Sequence, residues 1–321
     1  MLIQFARTRG AAREIAQLSK QLTASIDHGF FAPEFVIDRV QFVHATHRGI
    51  VRTCGAKGWT MTKQALCIGI NDYPGTDNDL QGCVNDANDW SALLRERGFQ
   101  VTSLLDKQAT KAAIVEHIER LLAQDKAGDQ IVITYSGHGT WLPDQDGDEA
   151  DHRDEALCPY DLSNGPLLDD ELFELFNARH QRARLVLISD SCHSGTVARY
   201  SRLTPGDRRV RYLSMSHFVS DRTQLARARS VERAAPRARA RLGALLMAGA
   251  QDTEYSWDTS FEGRPNGAFT RVAIDALRTL PSSATYSDWQ RAIRTRLPSA
   301  DYPQSPNLVG TATQKRWPIF G

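Results

Sequence analysis

The chain has 321 residues, of which 41% are apolar and 24% charged, and its formal charge is +1. That composition belongs to a globular protein and excludes wholesale disorder, collagen-like repeats and cysteine-dense disulfide scaffolds. So even a balance of charge gives no general attraction to nucleic acid or to an anionic membrane, and neither is expected as a partner. The five cysteines, at 54, 67, 83, 158 and 192, are odd in number and contain no CxxC pair. They fit a reducing compartment better than a disulfide framework. No window approaches the ~18 apolar residues of a membrane span, and the opening MLIQFARTRGAAREIAQLSK lacks a secretory pattern. A cytoplasmic location is expected.

Residues 1–60 are mildly basic and weakly patterned, with one helical candidate over Ala11–Ile26. No chemistry is expected there, and Cys54 reads as a bystander. From Met61 the pattern sharpens. Gln64–Ile70 (QALCIGI) is an apolar run of strand length. Val84–Arg97 has helical spacing, and Gly98 stops it. Phe99–Leu105 is a second strand, Thr110–Ala123 a second helix and Gln130–Tyr135 a third strand. A short helix over Asp169–Asn177 precedes a fourth strand, Arg184–Ser189. Ala244–Ala248 is a candidate fifth strand, followed by helices over Gly267–Leu280 and Tyr286–Leu297.

Short apolar strands separated by helices predict an α/β fold, with a mainly parallel sheet covered on both faces. In such sheets, sites form beyond the carboxyl ends of the strands. That rule points to Ser136-Gly137-His138-Gly139 after the third strand and Asp190-Ser191-Cys192-His193-Ser194-Gly195 after the fourth. A thiol becomes a nucleophile when an imidazole manages its proton. His138 can act as base toward the thiol and as acid toward a leaving amine. His193 is a second candidate base, but neighbours on an extended segment point to opposite sides. Gly139 and Cys192 are candidates to offer backbone N–H groups to an oxyanion. Zinc is disfavoured, because CxxC, HExxH and HxH spacings are all missing. Nucleotide loops of the GxGxxG or GxxxxGK type are missing too.

The segments ALCIGINDY (65–73), LQGCVNDA (80–87), ITYSGHGT (133–140), DGDEADHRDEALCPYD (146–161), LLDDELFELF (167–176) and LVLISDSCHSGT (185–196) resemble those of the caspase-like cysteine peptidases of clan CD. The likeness is strongest to the metacaspase and bacterial caspase-homologue branch. The stretch 245–270 resembles their small-subunit region, so the likeness spans roughly 61–300. The resemblance implies a caspase-like α/β/α sandwich and a Cys192–His138 dyad. It implies substrate proteins or peptides cut after arginine or lysine, with Cys83, Asp86, Ser136 and Asp190 at the pocket positions. Carboxylates there make physical sense, since a guanidinium is a permanently charged planar fork that a carboxylate matches with two hydrogen bonds. As the first acid on a helix, Asp86 would also favour the helix start.

Two charged tracts remain. Between Asp144 and Glu171 stand 11 acidic residues and one arginine. The spacing is not that of an EF-hand. The resemblance puts Asp154, Asp169 and Asp170 near positions that bind calcium in many metacaspases. Thr196-Val197-Ala198-Arg199 stand where the family has a further aspartate. The chemistry itself requires no cofactor, so calcium would act as a stimulus. Residues 199–241 carry twelve arginines against three acids, with no interleaved aromatics to stack on bases. They read as a polar linker that an arginine-cleaving enzyme would itself cut.

The expected organisation is therefore an N-terminal extension (1–60), a large-subunit-like region (61–198), an arginine-rich linker (199–241) and a small-subunit-like region (242–321). The expected function is a cysteine endopeptidase, calcium-stimulated and self-processing. The alternative from another class is a caspase-fold binding or scaffold protein with little activity.

Overall fold

The computed structural model describes residues 61–143, 153–192, 208–218, 243–251 and 254–321. The chain divides at residue 60, and the second unit, 61–321, is compact. The N-terminal extension with its helix candidate and Cys54 lies outside the described residues. So do the acidic run 144–152, residues 193–198 with His193 and Thr196-Val197-Ala198, and residues 199–207 and 219–241 of the arginine-rich stretch.

The second unit is built on a six-stranded sheet. Its strands are β1 (Lys63–Gly69), β2 (Gln100–Leu105), β3 (Gln130–Ser136), β7 (Arg184–Asp190), β9 (Leu245–Ala248) and β12 (Asn307–Val309). The order is β12-β9-β7-β3-β1-β2. All neighbours are parallel except β12, which runs antiparallel to β9. The apolar runs expected as strands are therefore strands, within one or two residues.

Both sheet faces are buried, which is why these strands lack polar alternation. On one face Ala65, Cys67, Val132, Val186, Leu245 and Met247 pack with Trp90, Phe269 and Trp289. Those aromatics come from α1 (Cys83–Glu96), α4 (Ala268–Thr279) and α5 (Tyr286–Arg294). On the other face Leu66, Ile68, Ile131, Ile133, Leu185 and Leu187 pack with Ile114, Ile118 and Leu122 of α2 (Lys111–Ala123), and with Leu172 and Phe176 of α3 (Asp169–Asn177). Successive residues thus supply alternate cores, as period-two geometry dictates. The chain leaves α1 through Gly98 at φ +83, a left-handed turn that glycine adopts without strain. A short α6 (Ala312–Lys315) follows β12.

Two small antiparallel sheets crown the carboxyl edge. One joins β4 (Gly139–Pro143), β5 (Arg153–Leu157) and β6 (Leu167–Leu168). The other joins β8 (Arg209–Val210), β10 (Trp257–Phe261) and β11 (Arg264–Gly267) in the order β11-β10-β8. Among the described residues, no helix is long and apolar enough to cross a membrane.

Candidate active site

The site is set by register. In the parallel sheet Ser136 pairs with both Gly69 and Asp190, so β1, β3 and β7 end level. The loop Gly137–His138 therefore starts beside the chain that runs from Asp190 to Cys192. Both side chains are buried, His138 at 1% and Cys192 at 1% exposure.

His138 is fixed on three sides. Its backbone N–H donates to the Tyr73 hydroxyl at 2.7 Å, and its carbonyl accepts from the Tyr135 hydroxyl at 2.6 Å. The Tyr73 ring lies 4.6 Å from the imidazole, centroid to centroid. Nε2 stands 2.6 Å from the Asn78 carbonyl oxygen. A carbonyl only accepts, so Nε2 carries the proton and Nδ1 keeps its lone pair. Nδ1 is buried and has no hydrogen-bond partner. Burial lowers the His138 pKa to about 4, against support from the Asn78 carbonyl. The imidazole is thus a neutral base with its basic nitrogen free.

Cys192 meets β10 rather than the imidazole. Its thiol lies 3.4 Å from the Ser256 carbonyl oxygen and also receives the Ser256 N–H. Burial raises its pKa to about 12, with the Ser256 N–H acting in the opposite direction. Two backbone donors beside it converge on one atom. Gly139 N–H and Cys192 N–H reach the carbonyl oxygen of Arg211 at 3.0 and 3.1 Å.

Arg211 belongs to the arginine-rich stretch, and in the described part of that stretch Val210, Arg211, Leu213 and Met215 are buried. Its side chain is 0% exposed, which is rare for an arginine unless it is paired. Nη2 meets Asp86 Oδ2 at 2.6 Å and Asp258 Oδ1 at 2.9 Å. Nη1 meets Asp190 Oδ2 at 3.0 Å and Ser136 Oγ at 2.6 Å. Burial works against the guanidinium charge, but Asp190, Cys83, Asp86 and Asp258 outweigh it and raise the Arg211 pKa. Asp86 moves up as well, because burial and the nearby Asp190 outweigh the Arg211 charge.

Each carboxylate is held before it meets the guanidinium. Asp86, in the first turn of α1, accepts from Ser136 Oγ, from Asn266 Nδ2 at 2.9 Å and from Gly267 N–H at 2.9 Å. Asp190 accepts from Thr270 N–H at 3.0 Å and Thr270 Oγ1 at 2.7 Å, in the first turn of α4. Helix N-termini favour such anions. Asp258, on β10, accepts from Gln81 N–H at 2.7 Å and Gly82 N–H at 3.0 Å. Two glycines make the approach possible. A Cβ on Gly82 would lie 2.5 Å from Asp258 Oδ1, and one on Gly267 would lie 2.1 Å from Asp190 Oδ2 and 2.6 Å from Arg211 Nη1.

The structure therefore gathers Asp86, Ser136 and Asp190 around one guanidinium. Cys83 sits one helical turn before Asp86 as a buried thiol, pushed well up by burial. Asp258 was missed by sequence reasoning. Its only signal was its place within the stretch 245–270, noted for its resemblance. Asn78, Ser256 and Asn266 gave none, since each acts through a backbone carbonyl or an amide.

Asp154, Asp169 and Asp170 lie elsewhere. Asp154 is on β5, which pairs with β6 in the register Ala156↔Leu168, and Asp169 and Asp170 open α3 directly after β6. Among the described residues, no group of three or more His, Cys, Asp or Glu side chains is arranged to hold a metal ion.

Comparison with known proteins places the chain in a family. Residues 62–316 match the caspase domain of peptidase family C14. Metacaspase-1B of Neosartorya fischeri is 31% identical over 290 residues, covering 78% of this chain and 69% of that protein. Metacaspase-1 of Candida glabrata is 30% identical over 288 residues, covering 78% and 72%. Metacaspase-7 of Arabidopsis thaliana is 41% identical over 145 residues, but that match spans only 35% of the plant protein. A crystal structure of a Geobacter sulfurreducens protein superposes with a TM-score of 0.61 at 30% identity, covering 80% of this chain and 98% of that one.

Proposed function

Because this chain belongs to the caspase-domain family of cysteine peptidases, we propose that it is an endopeptidase cutting after arginine or lysine, and that it processes its own arginine-rich stretch. One observation supports the reading above all. A buried arginine of the chain itself sits among Asp86, Asp190 and Asp258, with its carbonyl oxygen on the Gly139 and Cys192 N–H groups. An aspartate side chain in that pocket would meet unpaired negative charge instead.

The proposed chemistry runs as follows. His138 Nδ1 takes the Cys192 thiol proton, and sulfur bonds to the carbonyl carbon of the basic residue. The oxygen becomes an oxyanion on the Gly139 and Cys192 N–H groups. The C–N bond then breaks, and the proton on His138 leaves with the amine. Water adds to the thioester, its proton returns through His138 to sulfur, and a carboxylate departs. Cys83, Asp86, Ser136 and Asp190 form the specificity pocket, and Asp258 joins them. In this reading, 61–198 and 242–321 are the large- and small-subunit-like parts, and 199–241 is the stretch that is cut. A cytoplasmic location suits a protein whose described cysteines are all free and buried.

An arginyl chloromethyl ketone tests the reading in one step, since the thiolate displaces chloride only if the pocket has taken the arginine. The expected adduct maps to Cys192 by peptide mass and is not formed by the aspartyl analogue. Equal labelling by both reagents would overturn the pocket. Calcium stimulation completes the proposal and rests on the family resemblance at Asp154, Asp169 and Asp170 alone, since these residues form no metal-holding group among the described residues. Calorimetry should then give calcium heat in wild type that is lost in D169A/D170A. Absence of heat in wild type would remove calcium from the account.

A further inference from the structure

Arg211 is one residue of a longer seated segment. Arg209 and Val210 pair antiparallel with β10, Val210 opposite Trp257 and Arg209 opposite Asp258. The Arg211 N–H then donates to the Ser256 carbonyl at 3.0 Å, and Leu213 N–H donates to the Gly139 carbonyl at 2.9 Å. The chain from Arg209 to Leu213 thus adds itself to two sheet edges, one on each side of Cys192. This is how an extended peptide is recognised by strand addition, with main-chain bonds giving affinity and side-chain pockets giving selection.

The side chains of the segment find distinct surroundings. Val210 is 8% exposed and packs in one apolar cluster with Cys192, Trp257 and Ala268. Leu213 is 1% exposed, within the apolar core on the α2 face of the sheet. Arg208 is more open, yet its guanidinium makes two 3.1 Å bonds to Asp301, one to the carbonyl and one to Oδ1, and lies 5.1 Å over the Tyr302 ring. A planar cation between a carboxylate and an aromatic face is a recognisable charge-reading arrangement.

We propose that the peptidase reads its substrates across six residues, Arg208–Leu213 being the internal copy of the preferred sequence and Arg211–Tyr212 the bond it presents. This rests on the reading that the enzyme cuts after arginine. The preferred substrate carries a basic residue three positions before the cut arginine, at Asp301 and Tyr302. It carries a branched apolar residue immediately before that arginine, against Trp257. Two positions after the cut bond, a buried leucine contributes on the leaving side. Hydrolysis of the internal copy breaks the Arg211 carbonyl carbon–Tyr212 nitrogen bond, water supplying hydroxyl to the first and a proton to the second. It leaves new ends at Arg211 and Tyr212.

The test uses quenched peptides built on Arg-Arg-Val-Arg-Tyr-Leu, cleaved by the full wild-type chain and by Arg211→Gly, whose own segment has lost its anchor. Replacing the valine by aspartate, or the leucine by lysine, should each lower kcat/KM about tenfold or more. Replacing the first arginine by glutamate should cost roughly threefold to tenfold, because that site is partly exposed. Asp301→Arg should invert only this last preference, which a merely structural role for Asp301 would not do. Equal cleavage of all the peptides, or an unchanged preference in Asp301→Arg, overturns the six-residue reading and leaves cleavage after arginine standing. No cleavage of any arginine peptide by either protein overturns the arginine reading itself.

Discussion

Asp258 is the sharpest place to perturb the pocket, because its carboxylate serves two masters. Oδ1 meets the guanidinium at 2.9 Å, while Oδ2 takes the Gln81 N–H at 2.7 Å and both oxygens lie near the Gly82 N–H. Asp258→Asn keeps the size and leaves one oxygen. If that oxygen stays on the backbone donors, the new NH2 faces the guanidinium. If it turns to the guanidinium, the NH2 faces the Gln81 N–H. A donor meets a donor either way, in a site where Asp258 is 1% exposed. Truncating one partner of a buried charged pair costs ~2–5 kcal/mol. Asp86 and Asp190 remain on the same fork, so the lower part of that range applies, about 2–3 kcal/mol. At ~1.4 kcal/mol per decade this is a fall of roughly 30- to 150-fold in kcat/KM on an arginine peptide. The assay pairs that rate with alkylation of Cys192 by iodoacetamide, which needs no pocket and should be unchanged. An unchanged kcat/KM in Asp258→Asn would refute the reasoning.

Further outcomes follow from the dyad. Cys192→Ala and His138→Ala should each abolish peptide hydrolysis, and circular dichroism should show both still folded; activity remaining in Cys192→Ala would remove the nucleophile from the account. His138 also carries a pH signature. Burial lowers its pKa from 6.5 to about 4. The unfolded chain therefore binds a proton below pH 6.5 that the folded chain refuses until about 4. Stability from the neutral imidazole is present above 6.5 and is lost as pH falls through that window, by about 3 kcal/mol in all. Asp86, raised by burial, acts in the opposite sense, since the folded chain holds its proton more readily. Urea midpoints at neutral and mildly acid pH should therefore fall less in His138→Gln than in wild type, and equal falls would contradict the burial argument.

How much of this was legible beforehand can be read from particular residues. The strands QALCIGI, IVITY and RLVLIS announced themselves because both sheet faces are covered. Parallel pairing then put His138 and Cys192 at neighbouring strand ends. The small sheets were invisible. RDEAL, RPNG and the two-residue β8 carry no apolar period; β8 reaches β10 across a long stretch of chain, and only β10 and β11 are joined by a tight turn, Glu262-Gly263. Arg211 was hidden for a related reason. In sequence it is one arginine in a basic run, and its burial depends on Asp86, Asp190 and Asp258, which lie 125, 21 and 47 residues away. Which nitrogen of His138 keeps its lone pair could not be read either, since the Asn78 carbonyl that fixes the tautomer leaves no mark on residue type.

The central claim is that one acidic pocket delivers a basic residue to Cys192. Its most direct test is kcat/KM of the purified full chain on peptides identical except for arginine, lysine or aspartate at the cleaved position. Three carboxylates on one planar fork predict arginine at least equal to lysine, with aspartate rejected. Cleavage after aspartate as fast as after arginine would contradict the account.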